Sequence, residues 1–387
     1  MDKKPLVFLV DPQSYNNLAN YDTKLVNEIC KMGMLKVEFY GSVLFDRDSE
    51  LCVRNKPIFT YQIKSVKLFK ILSYAISLFR LFGTIWIKRP EIIHIQWIKV
   101  PPVDFFFYCL AMLVFRSRLV YTSHNVVPHG SSDARHFFLH RFLKICDRII
   151  VHHQSTLKEL VDRFGIDPSA IEVIHHGPIP LDDGLTSLMT NSLLQKCCGK
   201  KLVFGFVGSG TYYKGLDILI RAWKRIPHAL RSESALLICG KVQPTIETLL
   251  GGYKWHEGVT GLIVFNRYLS EADLNACVLR MDVVVLPHRK ISQSGVLLSL
   301  LDKNVAFVVA SQPAFKDVVA KYDLGWVYDG SEEALAELLK QCLMQPNAVA
   351  SIRNNVDGRR RANESVSWES AAAATVNAYF KSLGLSS

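Results

Sequence analysis

The chain has 387 residues, 49% of them hydrophobic and 21% charged, with a formal net charge of +11. That length exceeds the ~250–300 residues at which single cores usually stop growing, so two domains are expected, and the composition excludes a disordered or fibrous chain. Nine scattered cysteines with no CxxC pair exclude a zinc ribbon and a disulfide framework, and they suit a reducing compartment.

The first predicted element is a strand at Pro5–Val10. Its apolar run meets Asp11 too soon for a signal peptide, so a cytoplasmic protein is expected. Lys36–Tyr40 is the next strand. From Ser65 to Arg89, Leu, Ile, Phe and Trp are mixed with Lys and Arg and no acid, and Val103–Phe115 is a dense apolar helix candidate. Neither offers the ~18–20 uninterrupted apolar residues of a bilayer span. Two readings stay open: basic helices lying in the membrane interface, giving peripheral contact through 65–89 and 103–115, or buried helices whose Lys and Arg stems snorkel.

Strands are then predicted at Ile92–Gln96, Leu119–Ser123, Arg148–His152 and Ile171–Ile174. Gly177–Lys200, rich in Pro, Gly, Ser and Asp, reads as a linker. A second set follows at Leu202–Val207, Ala235–Cys239, Leu262–Phe265, Asp282–Leu286 and Ala306–Val309. Short apolar runs alternating with longer helical patterns are the mark of βαβ units. The chain is therefore expected to be α/β, with doubly wound domains at 1–177 and 201–365 joined by 178–200.

In open α/β sheets ligands sit beyond the carboxyl ends of the strands, which singles out three loops. In the first, 207–215 (VGSGTYYKG), small residues allow close approach of backbone to an anion and Lys214 adds a full charge. Gly215 follows Lys214 where a Walker A loop needs Ser or Thr, so this is a different phosphate loop or a simple tight turn. The second, 286–295 (LPHRKISQSG), again brings a strand to a Ser/Gly corner at a helix start, with Arg289 and Lys290 close by. A helix opening at Ser294–Gly295 is expected to carry Asp302 two turns along, where a carboxylate suits a ribose diol; a solvated Asp302 and a surface Arg289 are the plain alternative. The third, 121–130 (YTSHNVVPHG), offers His124 and Asn125 as hydroxyl-binding groups.

The charge favours anionic partners. No zinc spacing, aromatic RNP-like run or basic tract supports nucleic acid. His136 and His140 have helical i, i+4 spacing but lack the Glu of HExxH and a third ligand. His152–His153 and His175–His176 fall at strand ends, where neighbouring side chains point apart.

The combination resembles glycosyltransferase family 4, of the bacterial polysaccharide-assembly type. FGFVGSGTYYKGLDILIRAW, LLICGK, MDVVVLP, SQSGVLLSLLD, SHNVVPH, IEVIHHGPIP and the terminal VSWESAAAATVNAYF are each similar to a segment of that family, in the same order through residues 90–383. The resemblance implies the GT-B architecture: two Rossmann-like domains facing each other across a cleft, with a C-terminal helix within 366–387 crossing back to the first. It implies that Lys214 holds the donor diphosphate and that amides at Gly208 and Gly295–Val296 contact phosphate or sugar, with Ser209, Gly210 and Ser294 completing the donor loops. His124 would meet the sugar near its primary hydroxyl, and Asp302 would take the ribose. Two departures stand out. Ser209 occupies the position of the family's arginine, and Ser294 and Asp302 occupy those of its paired glutamates. Arg289 is the candidate for restoring the lost charge, and Lys and Arg leave no metal or other cofactor to be expected.

The activity so implied moves a hexose from a GDP- or UDP-sugar to a saccharide acceptor, polyprenyl-diphosphate-linked, in polysaccharide assembly at the cytoplasmic membrane face. In the retaining form the leaving phosphate takes the acceptor's proton. An inverting form needs a carboxylate base, for which Asp133, Asp11 and Asp22 are candidates. A non-catalytic sugar-nucleotide-binding subunit is the reading from another class, motivated by the lost ligands.

Overall fold

The computed structural model describes residues 4–15, 17–124, 133–179, 181, 184–252, 254–291 and 294–385. By contact the chain divides into two compact units, residues 1–177 with 366–387, and 178–365.

The first unit holds strands β1 (Leu6–Val10), β2 (Lys36–Tyr40), β3 (Ile92–Ile95), β4 (Arg118–Ser123), β5 (Arg148–Val151) and β6 (Ile171–Val173), in the order β2-β1-β3-β4-β5-β6. Every pairing is parallel. Strands covered by helices on both faces need no polar side, which is why β1 and β3 read as unbroken apolar runs and are buried throughout. The C-terminal helix Trp368–Ser382 packs in this unit, its Tyr379 hydroxyl 2.5 Å from His94 Nδ1.

Helices Lys67–Lys88 and Pro101–Phe115 also belong here. The first is the one helix among the described residues long and apolar enough to cross a membrane. One stripe of it, Tyr74, Leu78, Leu81 and Ile85, lies in the unit's core. Tyr74 donates to the buried carboxylate of Asp104, which also accepts from the Lys99 and Val100 amides and so caps the second helix. The opposite surface is open: Phe79 is 79% and Leu113 82% exposed, with Leu68, Phe69, Leu72, Ile76, Trp86, Ile87, Phe106 and Leu110 around them. The helices are thus core on one face and bare apolar surface on the other.

The second unit holds β7 (Val203–Val207), β8 (Ala235–Cys239), β9 (Leu262–Phe265), β10 (Val283–Leu286), β11 (Ala306–Ala310) and β12 (Gly325–Tyr328), in the order β12-β11-β10-β7-β8-β9, all parallel. In helix Leu216–Arg225 the buried Leu216, Leu219, Ile220 and Trp223 fall at i, i+3, i+4 and i+7, a stripe that docks on the sheet.

Three expectations are corrected. The linker contains a helix, Leu188–Leu194, capped by Ser187. Ser187 binds Asp273, and Arg267 donates to Thr190, so this segment is packed onto the second unit. The Ser and Thr that suggested a loop are cap and anchor. Strand β12 escaped prediction: it lies on an edge, is half exposed and opens on a glycine. That glycine is required, since a Cβ on Gly325 would lie 1.9 Å from the Phe307 carbonyl oxygen. Finally, the helix from Gly295 stops at Ser299, so Asp302 sits in the turn beyond it.

Candidate functional site

In the second unit β8 lies to one side of β7 and β10 to the other, so the loops leaving β7 and β10 flank the point where the strand order reverses. This is where open α/β sheets receive ligands. Gly208 leaves β7 with φ +109°, and Gly240, from the end of β8, comes so close that a Cβ on it would lie 2.2 Å from the Gly208 carbonyl oxygen. A Cβ on Gly208 would fall 2.5 Å from Lys214 Nζ, so the ammonium occupies the space that a side chain would take. The Lys214 side chain has no hydrogen bond or ion pair among the described residues, and burial lowers its pKa. A partly buried cation without a counter-ion is costly in a folded protein unless a ligand supplies the charge.

The two loops are locked together. A Cβ on Gly215 would lie 1.9 Å from the Pro287 carbonyl oxygen, and the Arg289 amide donates to Tyr213 O at 2.8 Å. The Arg289 guanidinium donates to both oxygens of Asp217 at 2.7 and 2.6 Å and to the Tyr212 carbonyl at 2.6 Å, and it lies 4.0 Å over the Tyr212 ring. Burial works against the Asp217 carboxylate, but Arg289 and then Arg221 hold its pKa below the ordinary range. Arg289 is thus not a spare charge replacing the arginine lost at Ser209. Its charge is committed to Asp217, and it braces the turn that carries Lys214.

The remaining donor-loop candidates separate. The Gly208 amide, expected to contact phosphate, donates instead to Cys239 O at 2.8 Å, and the Gly210 amide donates to Lys241 O at 2.9 Å. The Ser209 amide is the one in this glycine pair's midst that has no acceptor among the described residues. The Ser294 hydroxyl accepts from Leu297 N at 3.1 Å and caps the short helix opened by Gly295 and Val296, and the missing Gly295 side chain faces open space. Ser292 and Gln293 lie outside the described residues. Asp302, with its side chain 55% exposed, has Lys303 beside it at 3.6 Å and lies near enough to Arg359 for their charges to interact.

In the first unit His124 stands at the end of β4 in a line of rings. Its Nδ1 is 3.2 Å from His152 Nε2, whose Nδ1 is 2.9 Å from the Ile174 carbonyl oxygen. That carbonyl can only accept, so a neutral His152 donates from Nδ1 and accepts at Nε2. His124 then donates from Nδ1 and keeps a lone pair on Nε2. The Gln96 amide 3.2 Å away suits that lone pair only through its NH2, an orientation that would also engage the otherwise unpartnered Gln96 nitrogen. Tyr21 meets His124, His152, His176 and Trp368, and Trp97 stacks on His124. Burial, reinforced by neighbouring histidines, pushes His124 down to about 3 and His176 to about 4, so these rings are neutral acceptors and donors. Sequence reasoning considered His152 and His176 only as metal ligands. Their common position, one residue or a few past a parallel strand, was the available signal.

Asn125 and the rest of 125–132 lie outside the described residues, as does the side chain of Asp133. The other two candidate bases are sealed: Asp11 is 1% and Asp22 0% exposed. Burial raises Asp11 to about 6, and burial with the Asp11 charge raises Asp22 further above its ordinary value. No acceptor hydroxyl reaches them in this conformation. Among the described residues no group of three or more His, Cys, Asp or Glu is placed to hold a metal ion.

Residues 197–359 match the family described as glycosyl transferases group 1, and residues 43–178 match Glycosyltransferase Family 4. An uncharacterized glycosyltransferase of Methanocaldococcus jannaschii is 24% identical over 239 residues, 60% of this chain and 59% of that protein, so the match spans about three fifths of the curated relative. Among solved structures, sucrose-phosphate synthase of Thermosynechococcus elongatus superposes with a TM-score of 0.74 at 16% identity, covering 98% of this chain and 99% of its own. Anabaena HepE in complex with UDP-glucose gives 0.72 at 14% identity (96% and 99%). WaaG, a glycosyltransferase involved in lipopolysaccharide biosynthesis, gives 0.66 at 14% (96% and 98%).

Proposed function

The chain is a GT-B glycosyltransferase resembling family 4, and from that premise we propose that it transfers a hexose from a UDP- or GDP-sugar to a saccharide acceptor with retention of configuration. The observation that carries the donor half is the unpaired Lys214 ammonium held over Gly208 at the strand switch point. A sugar nucleotide brings the two negative charges this position lacks. As the C1–O bond breaks, the electron pair goes to the β-phosphate oxygen beside Lys214, and the acceptor hydroxyl adds to C1 while its proton passes to that phosphate. Preorganised charge of this kind is usually the largest catalytic contribution. No resident metal is invoked. The inverting alternative loses Asp11 and Asp22 as bases to their burial.

Nucleotide identity is tested by thermal denaturation in EDTA with UDP-glucose, UDP-galactose, GDP-mannose and the free nucleotides. UDP-glucose heads the panel because HepE is seen with it. One nucleotide class should stabilise the protein by about 2.7 kcal/mol at ~100 times its dissociation constant. Stabilisation by none of them removes the donor site. A bound donor with no transfer or hydrolysis would favour a non-catalytic subunit.

We further propose that the acceptor is polyprenyl-diphosphate-linked and that the enzyme works as a peripheral protein on the cytoplasmic face of the membrane, in polysaccharide synthesis. The bare apolar face of helices Lys67–Lys88 and Pro101–Phe115 supports this, together with exposed Lys64, Lys67, Lys70, Arg80 and Arg116 and the absence of acids from 65 to 89. Each basic residue near an anionic surface contributes about 1 kcal/mol. Replacing Lys67, Lys70 and Arg80 by Gln should therefore lower partitioning onto phosphatidylglycerol vesicles roughly a hundredfold. Equal binding to neutral vesicles, or none to anionic ones, rejects the membrane contact.

A further inference from the structure

At the end of β10 three consecutive positions, Pro287, His288 and Arg289, border the Lys214 turn. Arg289 is compensated by Asp217. His288 has no charged partner among the described residues; the interaction that favours its charged form is a hydrogen bond with the Leu286 backbone. The residue is 2% exposed, and its Nδ1 is buried without a hydrogen-bond partner among the described residues. Phe315 meets it edge-on at 5.3 Å from helix Pro313–Val319, and Tyr213 lies at 6.3 Å from the Lys214 turn. Burial first, and the Lys214 charge second, outweigh the hydrogen bond with the Leu286 backbone and push its imidazole down to about 3, so His288 is neutral here. The charged and titratable groups facing it are Lys214 and Tyr213 from that turn, with the Arg289–Asp217 pair alongside.

We propose that His288 is the second ligand of the donor diphosphate, in a chain that has Ser209 at the position of the family's arginine, and that it takes up a proton when the donor binds. This rests on the donor site proposed above. A sugar nucleotide carries two negative charges on its diphosphate, and Lys214 supplies one positive charge. The complex is left one charge short in a site where burial strengthens every electrostatic interaction. His288 is the group beside Lys214 that can make up the difference, because the same pair that repels a second cation in the empty site attracts one once the phosphates lie between them. An imidazolium N–H to phosphate is a charge-assisted hydrogen bond, the kind that arginine makes at such sites. The buried ring nitrogen that has no partner among the described residues would have one in the complex.

The test is isothermal titration calorimetry of the full chain with UDP-glucose and with GDP-mannose, in PIPES and in imidazole buffers from pH 8 to pH 6. Neither sugar nucleotide titrates in that range, so any proton taken up is bound by the protein. The wild type should take up a proton fraction rising towards ~1 as the pH falls, with affinity increasing by up to about tenfold per pH unit. His288→Gln keeps a donor but cannot be charged: it should bind within a few-fold of wild type at pH 8, without uptake and with a flat pH dependence. His288→Leu removes the donor altogether and should weaken binding roughly ten- to a hundredfold. Binding by the wild type without proton uptake overturns the proposal and leaves the donor site standing, and this measurement needs no variant to fold. Uptake that persists in a folded His288→Gln assigns the proton elsewhere and overturns it equally. No binding of either nucleotide, with Lys214→Ala indistinguishable from wild type, removes the donor site itself.

Discussion

Replacing Lys214 by Ala should lower kcat by about 10²–10³, or ~3–4 kcal/mol of transition-state stabilisation, with the protein still folded. The fold should tolerate the change because the Lys214 side chain holds no neighbouring elements together: it has no hydrogen bond or ion pair among the described residues, and its burial disfavours the charged form. Removing it relieves a cost in the empty protein and withdraws the charge on which a departing diphosphate depends. The expected signature is therefore a melting temperature equal to or above wild type together with a collapse of turnover. Gly208→Ala should mimic the loss from the other side. A Cβ at that position, already strained by φ +109°, would stand 2.5 Å from Nζ and push the ammonium away. Wild-type turnover in a folded Lys214→Ala protein would end the proposed role of this lysine.

The elements that sequence made legible are those whose physics is local. Buried parallel strands show as unbroken apolar runs, and Ala235–Cys239 and Leu262–Phe265 are observed with the bounds expected of them. Gly325 gave no such signal, because an edge strand is partly exposed and a glycine usually marks a turn. SGVLLSLLD keeps a helical pattern past the point where the helix ends, since Asp302, Lys303 and Asn304 make the turn into β11 and the leucines at 300 and 301 are buried beyond it. At the site, Lys214 was legible from the glycines around it. Arg289 was legible as a charge and misread as a ligand, because its partner Asp217 lies 72 residues away and meets it only through the adjacency of β7 and β10. His288 was invisible for the same reason: nothing in Leu-Pro-His announces a lysine from another loop beside it.

That Arg289–Asp217 pair carries the second large effect. Asp217→Asn should destabilise the protein by on the order of 3 kcal/mol at neutral pH, the low end for removing one partner of a buried pair, since Arg289 keeps some access to solvent. Donor binding should weaken with it, because the clasp holds the Tyr212–Lys214 turn against Pro287 and Arg289. The pH dependence has a definite sign. The folded-state pKa of Asp217 is depressed, so its contribution is complete above the unfolded value near ~3.9 and is lost as the pH falls through the lower folded value. Melting curves of wild type and Asp217→Asn should therefore differ most at pH 7 and converge in acid. The double variant Asp217→Asn with Arg289→Leu separates the pair's net worth from the cost of orphaning an arginine. Removing the stranded guanidinium should recover a good part of the stability, as replacing both members of a buried pair usually costs less than removing one. It should not recover donor affinity, because the brace between the two loops is still missing. A single variant as stable as wild type at pH 7, or a double variant that restores donor binding, would show that the clasp does not position Lys214.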